Sequence, residues 1–453
     1  MGSEEFRTNK YNNLFITSCG IHHPSYQTPC QTAHMDKSKQ YKLFNDPVHG
    51  FISVPKGTIL RLIDHPYIQR LRRIRQLGLG YLVFPAAEHS RFSHAIGALE
   101  LGQRVLLNLK EKNTTISDAE LEGTLIAILL HDVGHGPLSH TLEHTLITDF
   151  NHEMMSLAIM EELNRQFEGA LDVAISIFRD QHPKRFLHQL ISSQLDIDRL
   201  DYLKRDSFFT GVSEGSVGIN RILKTMRVFK GNMVIEKKGI YAVENYILSR
   251  RLMYMQVYLH KTVLAADALL RMIYRRVLWL LEKGEQLHQP SIALKYFLEN
   301  RPSARRSISR KMISMYTLLD DHDIYLSIKY WVHSDDPVLA DLCSRFLNRA
   351  LFRTSFLTSR PSEEMLADIR EQTARELKKR QLPYDEETVS FYIRADTSYS
   401  EAYKYENEGI WILDERDKAV EFSKAADTRN IIALTQPVVK PYVVHLKEVT
   451  VET

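Results

Sequence analysis

The chain has 453 residues, of which 44% are hydrophobic and 25% are charged, as is ordinary for a globular protein. Lys and Arg total 59 against 56 Asp and Glu, an excess of +3 that does not by itself indicate a nucleic-acid-binding protein. The apolar runs are too short to span a bilayer, and no secretory signal pattern is visible. The three cysteines have no metal-ligand spacing and suit a reducing compartment. We therefore expect a cytoplasmic protein with no membrane partner.

Residues 1–34 differ in composition from the rest of the chain. They are rich in Asn, Thr, Ser, His and Pro and show neither helical nor strand periodicity. We expect a disordered N-terminal extension, with Met35 as a candidate alternative start. A loosely docked native arm is the alternative interpretation.

Helical periodicity dominates from about residue 58. Apolar residues repeat on one face through residues 94–110, which predicts a helix there. Ser117 and Glu120 have the spacing of a capping box and predict the start of the next helix, which ends near Gly134. Residues 125–130 of that helix are almost all apolar, so the helix is expected to be buried and to carry His131 and Asp132 at its end.

Segments from residue 233 onward show both helical and strand patterns. Residues 233–241 predict a small hairpin that turns at Lys238-Gly239, and residues 241–283 lack Gly and Pro and predict one long helix or two in sequence. Residues 389–393 and 410–413 alternate like strands. The fold class expected is mostly α, with a smaller mixed α+β lobe at the C-terminal end.

Four residues could carry metal chemistry: His94, His131, Asp132 and Asp198. Two imidazoles and two carboxylates form a mixed N/O set that suits Mn, Fe, Zn, Co or Mg. Neighbouring side chains on a helix diverge by about 100°, so His131 and Asp132 can reach one ion only where the helix ends. Gly134, Gly136 and Pro137 supply that end. Simple capping of a buried helix is the alternative, which the co-occurrence of further motifs disfavours.

Three segments together resemble the HD-domain signature. They are Arg91-Phe92-Ser93-His94, the run His-Asp-Val-Gly-His-Gly-Pro-Leu-Ser-His at 131–140, and Asp-Ile-Asp-Arg-Leu-Asp-Tyr at 196–202. The chain is most similar to the deoxynucleoside triphosphate (dNTP) triphosphohydrolases, including the vertebrate enzyme with a sterile alpha motif before its HD domain. Asn-Asp-Pro-Val-His-Gly at 45–50, Gln-Arg-Leu-Arg at 69–72 and Gln-Leu-Gly at 76–78 fit that subgroup. The resemblance covers about residues 42–285, and no sterile alpha motif is visible. It implies a helical HD phosphohydrolase domain at 35–290 and a C-terminal lobe at 291–453.

The resemblance also implies roles for the histidines. His94, His131, Asp132 and Asp198 would hold the divalent metal, and His135, His140 and His152 would line the triphosphate. His140 is the best candidate for general acid or base, and histidine titrates near neutrality, as proton transfer requires. His152 taken alone could equally be structural.

The remaining site residues are likewise implied by the resemblance. The expected reaction is attack of water on the α-phosphorus of a dNTP, releasing deoxynucleoside and triphosphate. The family usually has Lys where this chain has Arg199. Asp198, Tyr202 and Asp206 recur at four-residue steps, so one helix face could serve both metal and sugar. The expected substrate-binding residues are Arg91, Arg199, Arg250 and Lys261 for the phosphates and Gln76, Leu77, Tyr202, Asp206 and Tyr258 for the sugar.

A guanine-nucleotide activator at a subunit interface is also implied, in a homo-oligomer that would be a dimer or a tetramer. Its candidate residues are Asn45, Asp64, Gln69 and Arg72, although a solvated helix with ordinary charge pairs explains these residues equally well.

Two alternatives to the dNTP reaction remain open. One is another HD chemistry, such as that of a nucleotidase or a cyclic-nucleotide phosphodiesterase. The other is a nucleotide-sensing or nucleic-acid-binding protein with an inactive site, using the basic run at residues 301–311. Nucleic acid is not the favoured partner, because the metal-ligand set is intact.

Overall fold

Helices form most of the structure, and three small sheets accompany them. The computed structural model describes residues 40–138, 141–288, 291–305, 307–404, 409–426 and 436–452, apart from the side chain of His144. The predictions for residues 1–34 and for His140 therefore lie outside the described residues. Of the helices described, none combines the length and the apolar composition needed to cross a membrane.

The described chain begins with an antiparallel hairpin of β1 (Tyr41–Asp46) and β2 (Gly50–Pro55). Gly50 has a φ of 79°, which the tight turn between these strands requires. Two short helices follow, α1 (Thr58–Ile63) and α2 (Pro66–Gln69), and 3₁₀ turns then lead to the central helices.

The central helices carry the buried core. The predicted capping box is confirmed: the Ser117 hydroxyl accepts from the Glu120 N–H, and the Glu120 carboxylate accepts from the Ser117 N–H. The helix that it starts is buried from Gly123 to Leu130, as expected. These helices are α3 (Arg91–Glu111), α4 (Asp118–Leu130), α5 (Glu143–Leu146), α6 (His152–Gln166), α7 (Asp172–Phe178), α8 (Arg185–Gln189) and α9 (Ile197–Thr210). The long α3 packs against both α4 and α9.

The hairpin predicted at residues 233–241 is wrong, because a hairpin forms earlier in the chain and residues 233–236 belong to its second strand. After α10 (Ile219–Thr225), strands β3 (Met226–Phe229) and β4 (Asn232–Glu236) pair around Lys230-Gly231. Both turn residues have positive φ, 49° and 81°, as a tight two-residue hairpin turn needs. The sequence contains a second Lys-Gly pair at 238–239, but that one lies in a 3₁₀ turn where the glycine has a φ of −94°.

Residues 241–283 form two helices in sequence, one of the two predicted arrangements. They are α11 (Ile240–Met253) and α12 (Lys261–Glu282), with a π-helical turn at Tyr254–Tyr258 between them. The wide turn is followed by His260, whose imidazole accepts from the Thr262 N–H and caps α12.

The C-terminal part is mixed, as predicted. Residues 411–413 form a strand as expected, whereas residues 389–393 do not: Asp385 caps a short helix that ends at Val389, and a 3₁₀ turn follows at Ser390–Tyr392. Its elements are α13 (Ile292–Asn300), α14 (Arg310–Tyr316), α15 (Asp321–Trp331), α16 (Pro337–Leu347), β5 (Arg353–Phe356), α17 (Glu363–Lys379), α18 (Glu386–Val389), β6 (Arg394–Ser400), β7 (Trp411–Leu413), β8 (Ala419–Glu421), α19 (Phe422–Ala425) and β9 (Val438–His445).

The sheets join distant parts of the sequence. The order β3-β4-β7-β8 brings the central hairpin beside C-terminal strands, with β4 and β7 parallel, and β5-β9-β6 forms a separate antiparallel sheet. Residues Tyr41–Thr453 accordingly form one compact unit. The boundary between the predicted domains at residue 290 stays a prediction.

Candidate metal centre and active site

The four predicted metal ligands come together. Ligand atoms of His94, His131, Asp132 and Asp198 all lie within 4.8 Å of one another. The His94 Nε2 atom is 3.2 Å from an Asp198 oxygen and 3.4 Å from His131 Nε2, and His131 Nε2 is 3.4 Å from the same Asp198 oxygen. Such mutual approach of two imidazoles and two carboxylates fits coordination of one divalent cation.

The helix packing explains this convergence. His94 lies in the first turn of α3, Asp198 in the first turn of α9, and His131 directly after α4. The His131 Nδ1 atom is 2.7 Å from the Ile128 carbonyl, so Nδ1–H donates and Nε2 is left to bind a metal. The helices α3 and α9 and the turn after α4, which are distant in sequence, thus each contribute at least one candidate ligand.

A buried carboxylate orients the other imidazole. Asp201 lies 2.8 Å from His94 Nδ1, and its second oxygen lies 2.6 Å from His49 Nε2. The Arg205 guanidinium donates to both Asp201 oxygens and also pairs with Asp46 at 2.8 Å. A carboxylate on the far nitrogen of a ligating histidine fixes its tautomer and its ring orientation.

Sequence reasoning missed this supporting shell. Asp46 and His49 stand in the opening motif that supports the resemblance, but they received no role, and neither did Asp201. Asp201 follows Asp198 by three residues on one helix face, a spacing that could have drawn attention to it. The contact with His49 crosses 152 positions of sequence and has no local signal.

The ionisable side chains of the site shift one another's pKa values. Burial alone would lower the pKa of His94, but its hydrogen bonds to the Asp198 and Asp201 carboxylates outweigh burial and raise the pKa to about 10. Burial likewise acts against His131, yet the charges of Asp132 and Asp198 raise its pKa to about 9. Burial would raise the pKa of Asp198, but the two imidazoles lower it. The cluster therefore favours positive charge at its centre.

The turn after His131-Asp132 is held by hydrogen bonds with Arg70 and with residues of the C-terminal part of the chain. The buried Arg70 guanidinium donates to the His135 carbonyl at 2.8 Å and to the Leu319 carbonyl at 2.7 Å. The Tyr316 hydroxyl donates to the Gly134 carbonyl at 2.8 Å, and Asp321 accepts from the Leu138 N–H at 2.8 Å. The sequence analysis singled out none of these as site residues.

Two of the three predicted catalytic histidines are described, and they are adjacent. The rings of His135 and His152 stack with centroids 3.9 Å apart and planes 15° apart. His152 Nδ1 lies 2.9 Å from a Glu143 oxygen, and both histidines have a nitrogen within 4.8 Å of an Asp132 oxygen. Burial and the charge of Arg91 lower the pKa of His135 well below its ordinary value, so this ring is neutral near pH 7.

The candidate sugar residues are linked to one another. Asp206 accepts from the Tyr258 hydroxyl at 2.8 Å, and its other oxygen is 2.7 Å from His89 Nε2. The rings of Tyr202 and Tyr258 meet edge to face at 6.1 Å. The Gln76 N–H donates to the His89 carbonyl, which ties the Gln76-Leu77 segment to this group. His89 was not predicted as a site residue.

The candidate phosphate-binding cations differ in their surroundings. Arg91 is buried and donates to the metal-ligand candidate Asp132. Arg250 donates to the Gln194 side chain at 3.3 Å, and Lys261 is exposed at the start of α12. Arg199 pairs with Asp196 and donates to the Ser193 carbonyl at 2.7 Å. Arg91 is thus the one of these four for which a contact with a metal ligand is described.

The candidate activator residues form two described pairs. Arg72 donates to the Gln69 side chain at 2.8 Å, and its guanidinium stacks 3.6 Å above the Phe92 ring. Asp64 lies 3.6 Å from the Lys42 ammonium. Asn45 is exposed on β1. Gln69 and Arg72, three residues apart, thus lie close enough to contact one another.

Comparison with known proteins identifies the family of this chain. The HD domain model matches residues 91–206, and the model of the HD associated region matches residues 217–290. The crystal structure of a phosphohydrolase from Bacteroides thetaiotaomicron is similar with a TM-score of 0.85 at 39% identity, covering 89% of this chain and 99% of that one. Protein YwfO of Bacillus subtilis, which is uncharacterised, is 38% identical over 341 residues, or 73% of this chain and 75% of YwfO.

The chain therefore belongs to the HD-domain phosphohydrolases, a metal-dependent family of hydrolases. Among its more distant relatives, the deoxynucleoside triphosphate triphosphohydrolase SAMHD1 of Gallus gallus is 28% identical over 346 residues. That match covers 66% of this chain and 53% of the relative, so this chain spans about half of that protein. The predicted family, the mostly helical fold and the dependence on a metal are confirmed, while the identity of the metal stays a prediction.

Proposed function

We propose that the chain hydrolyses deoxynucleoside triphosphates to deoxynucleoside and inorganic triphosphate. The observation that carries this proposal is the convergence of His94, His131, Asp132 and Asp198, with Arg91 donating to Asp132. The relatedness to enzymes named as dNTP triphosphohydrolases supports the choice of substrate.

The metal would be held by the Nε2 atoms of His94 and His131 and by carboxylate oxygens of Asp132 and Asp198. When bound, a divalent ion supplies Lewis-acid polarisation of a phosphoryl oxygen and lowers the pKa of a water molecule. Asp201 and the Ile128 carbonyl hold the two imidazoles so that Nε2 faces the centre.

The phosphates would be recognised by cationic side chains. Arg91, Arg199, Arg250 and Lys261 are the proposed set, and guanidinium groups suit phosphate oxygens because they present paired donors. Their charge offsets the negative charge that develops when the water oxygen bonds to the α-phosphorus. Arg91 is the one of this set with a described contact to a metal-ligand candidate, Asp132.

Cleavage requires one proton transfer to the leaving oxygen. The water molecule gives up one proton to solvent as its oxygen bonds to the α-phosphorus, the bond from that phosphorus to the 5′ oxygen breaks, and the 5′ oxygen gains a proton. We assign this proton transfer to His140, with His135 and His152 lining the triphosphate. The neutral state of His135 allows it to accept a hydrogen bond from water or to donate one to a phosphate oxygen.

The sugar would lie against Gln76, Leu77, Tyr202, Asp206 and Tyr258. Asp206 is held by Tyr258 and His89, which positions a carboxylate to accept from a 3′-hydroxyl. Leu77 and Tyr202 would crowd the 2′ carbon, so an added ribose hydroxyl would meet apolar bulk.

Regulation by a guanine nucleotide is a second part of the proposal. The activator would contact Asn45, Asp64, Gln69 and Arg72 in a homo-oligomer, a dimer or a tetramer. The guanidinium of Arg72 above Phe92 presents a flat cationic surface on which a purine can stack. Nucleotides are present in the cytoplasm, and we propose that the enzyme acts there.

The decisive experiment is product identification. The metal-loaded protein is incubated with each dNTP and NTP, with and without GTP, and the products are separated by ion-exchange chromatography. We expect deoxynucleoside and inorganic triphosphate from dNTPs and little product from NTPs. Nucleoside monophosphate, released pyrophosphate or opened cyclic nucleotides would instead indicate another HD chemistry. An absence of turnover, combined with strongly salt-dependent binding to nucleic acid, would favour an inactive binding protein.

A further inference from the structure

A cavity of about 820 Å³ lies apart from the candidate metal ligands. Its walls come from α8 and the loop before α9, from the β3–β4 hairpin and from the segments around β7 and β8. None of His94, His131, Asp132 and Asp198 lines it. Its volume falls within the range of about 300–1,000 Å³ that is typical of small-molecule sites.

The lining of the cavity carries a positive charge. Four cations and two carboxylates line it, and because Arg199 is paired with Asp196 outside the lining, the remaining balance is 3 − 2 = +1. Arg185 and Asp180 approach one another only to 3.8 Å. The cations are Arg185, Arg199, Lys230 and Lys418, and the carboxylates are Asp180 and Asp417. This balance favours an anionic occupant.

One donor in the wall lacks a partner. Arg199 is anchored by Asp196 and by the Ser193 carbonyl, but its Nε is buried without a hydrogen-bond partner within the described residues. A buried donor left unpaired is destabilising, so such a group indicates a missing water or ligand.

The lining also contains apolar and aromatic side chains, among them Phe229 and Met233. Trp411 on β7 lines the cavity as well and is 45% exposed. An exposed indole in a cavity that is also lined by cationic side chains suits a ligand that carries both a flat aromatic ring and negative charge. Stacking of bases on aromatic side chains is a common mode of nucleotide recognition.

We propose that this cavity is a nucleotide-binding site that contains none of the candidate metal ligands, although Arg199, proposed above for the substrate phosphates, also lines it. The base would stack on Trp411, and the phosphates would face Arg185, Lys230 and Lys418. The site also differs from the proposed activator site, because neither Asn45, Asp64, Gln69 nor Arg72 lines the cavity.

The test uses ATP and the intrinsic fluorescence of the metal-loaded full chain. ATP is chosen because the proposed reaction excludes ribonucleotides as substrates and the proposed activator is a guanine nucleotide. The chain has three tryptophans, and of these Trp411 alone lines the cavity. We expect saturable quenching by ATP that persists in Trp279→Phe and disappears in Trp411→Phe. Quenching that persists in Trp411→Phe would overturn the proposed contact.

Calorimetry measures binding independently of the fluorescent reporter. The double variant Arg185→Ala/Lys230→Ala should bind ATP at least about tenfold more weakly, since it loses two charge-assisted contacts. The matched control Arg375→Ala/Lys379→Ala removes two exposed cations from α17 and should bind ATP like the wild type. Equal affinity in both double variants would reject the cavity as the site.

Two further experiments distinguish a failure of this proposal from a failure of the proposed function. Asp132→Ala should lose the metal centre but keep ATP binding, and loss of both together would place the nucleotide at the metal instead. Adenosine and inorganic triphosphate are titrated separately, and each should bind at least about tenfold more weakly than ATP. Triphosphate that binds as tightly as ATP without quenching would show an anion site and overturn the nucleotide assignment.

Discussion

At the scale of single residues, the site depends on side chains that hold the candidate metal ligands in place without being ligands themselves. Asp201 contacts His94, His49 and Arg205 while being fully buried. Burial would raise the pKa of Asp201, but the Arg205 charge and the two histidines hold it well below its ordinary value. A carboxylate in this position favours a proton on His94 Nδ1, which leaves Nε2 facing the other candidate ligands.

Removal of Asp132 tests the metal-ligand set. Asp132→Ala should abolish bound metal and activity, because two imidazoles and one carboxylate with Arg91 beside them attract a cation poorly. Helical content should remain largely intact, since Asp132 follows the end of α4. Metal analysis and circular dichroism check this, with the exposed Asp118→Ala on the same helix as control. Full metal occupancy and wild-type turnover in Asp132→Ala would refute the assignment.

Replacement of Asp201 tests the supporting shell. Asp201→Asn should weaken metal binding by about 10–100-fold, because the His94 tautomer and orientation are no longer fixed. Metal retained during dialysis against a competing chelator is the measurement.

Asp341→Asn is the matched control for Asp201→Asn. Asp341 pairs with Arg345 four residues later, as Asp201 pairs with Arg205, and it contacts none of the candidate ligands in the described structure. It should lose stability without losing metal. Equal metal retention by the folded Asp201→Asn protein and the wild type would show that Asp201 is only structural.

His140 is predicted to transfer a proton rather than to bind metal. His140→Ala should keep metal and nucleotide binding but turn over about 10²–10⁴-fold more slowly. Single-turnover rates together with metal content distinguish the roles, with His322→Ala, an exposed histidine, as control. A variant that instead loses its metal would identify His140 as a ligand.

At the scale of elements, the close packing of α3 on α9 sets the site. A Cβ atom added at Gly97 would overlap the side chains of Asp201 and Arg205. Gly97→Ala should therefore destabilise the fold by about 1–3 kcal/mol through overpacking and should also weaken metal binding. Denaturant unfolding and metal retention are measured together.

Gly218→Ala provides the control at this scale. Gly218 has open space around its Cβ position and an ordinary φ of −74°. Its substitution should change stability by no more than about 0.5 kcal/mol. If the two alanine variants are equally stable, α3 and α9 do not pack as closely as the structure indicates.

At the scale of the whole molecule, the C-terminal part is tied to the catalytic turn. Tyr316 and Asp321 hold residues Gly134 and Leu138, and Arg70 bridges the same turn to Leu319. A movement of α14 or α15 would therefore shift the backbone around His135. This connection gives a physical route by which assembly or a bound effector could alter activity.

The guanine-nucleotide prediction belongs to this scale. GTP or dGTP should promote an oligomer and accelerate cleavage of other dNTPs by about 5–150-fold, the usual range of allosteric coupling. Arg72→Ala should lose this effect and keep its metal, whereas Arg375→Ala should respond like the wild type. Sedimentation velocity and initial rates are the measurements. An active preparation that does not respond to guanine nucleotide in either measurement would reject the site.

The sequence by itself determined the local features of this protein. The capping box of Ser117 and Glu120, the apolar run of α4 and the His131-Asp132 pair at its end were all predictable. Each depends on residues within one or two helical turns, where the backbone periodicity directly relates spacing to position. The family motifs extended this reasoning to His94 and Asp198, which lie on other helices.

The tertiary structure decided what local spacing leaves open. The hairpin turn was predicted at Lys238-Gly239, whereas the pairing of β3 with β4 places it at Lys230-Gly231. The contacts of Asp201 with His49 and of Arg70 with the His135 turn cross 152 and 65 positions of sequence. Such contacts form because a buried charge must find a partner, and which partner is near depends on how the helices pack.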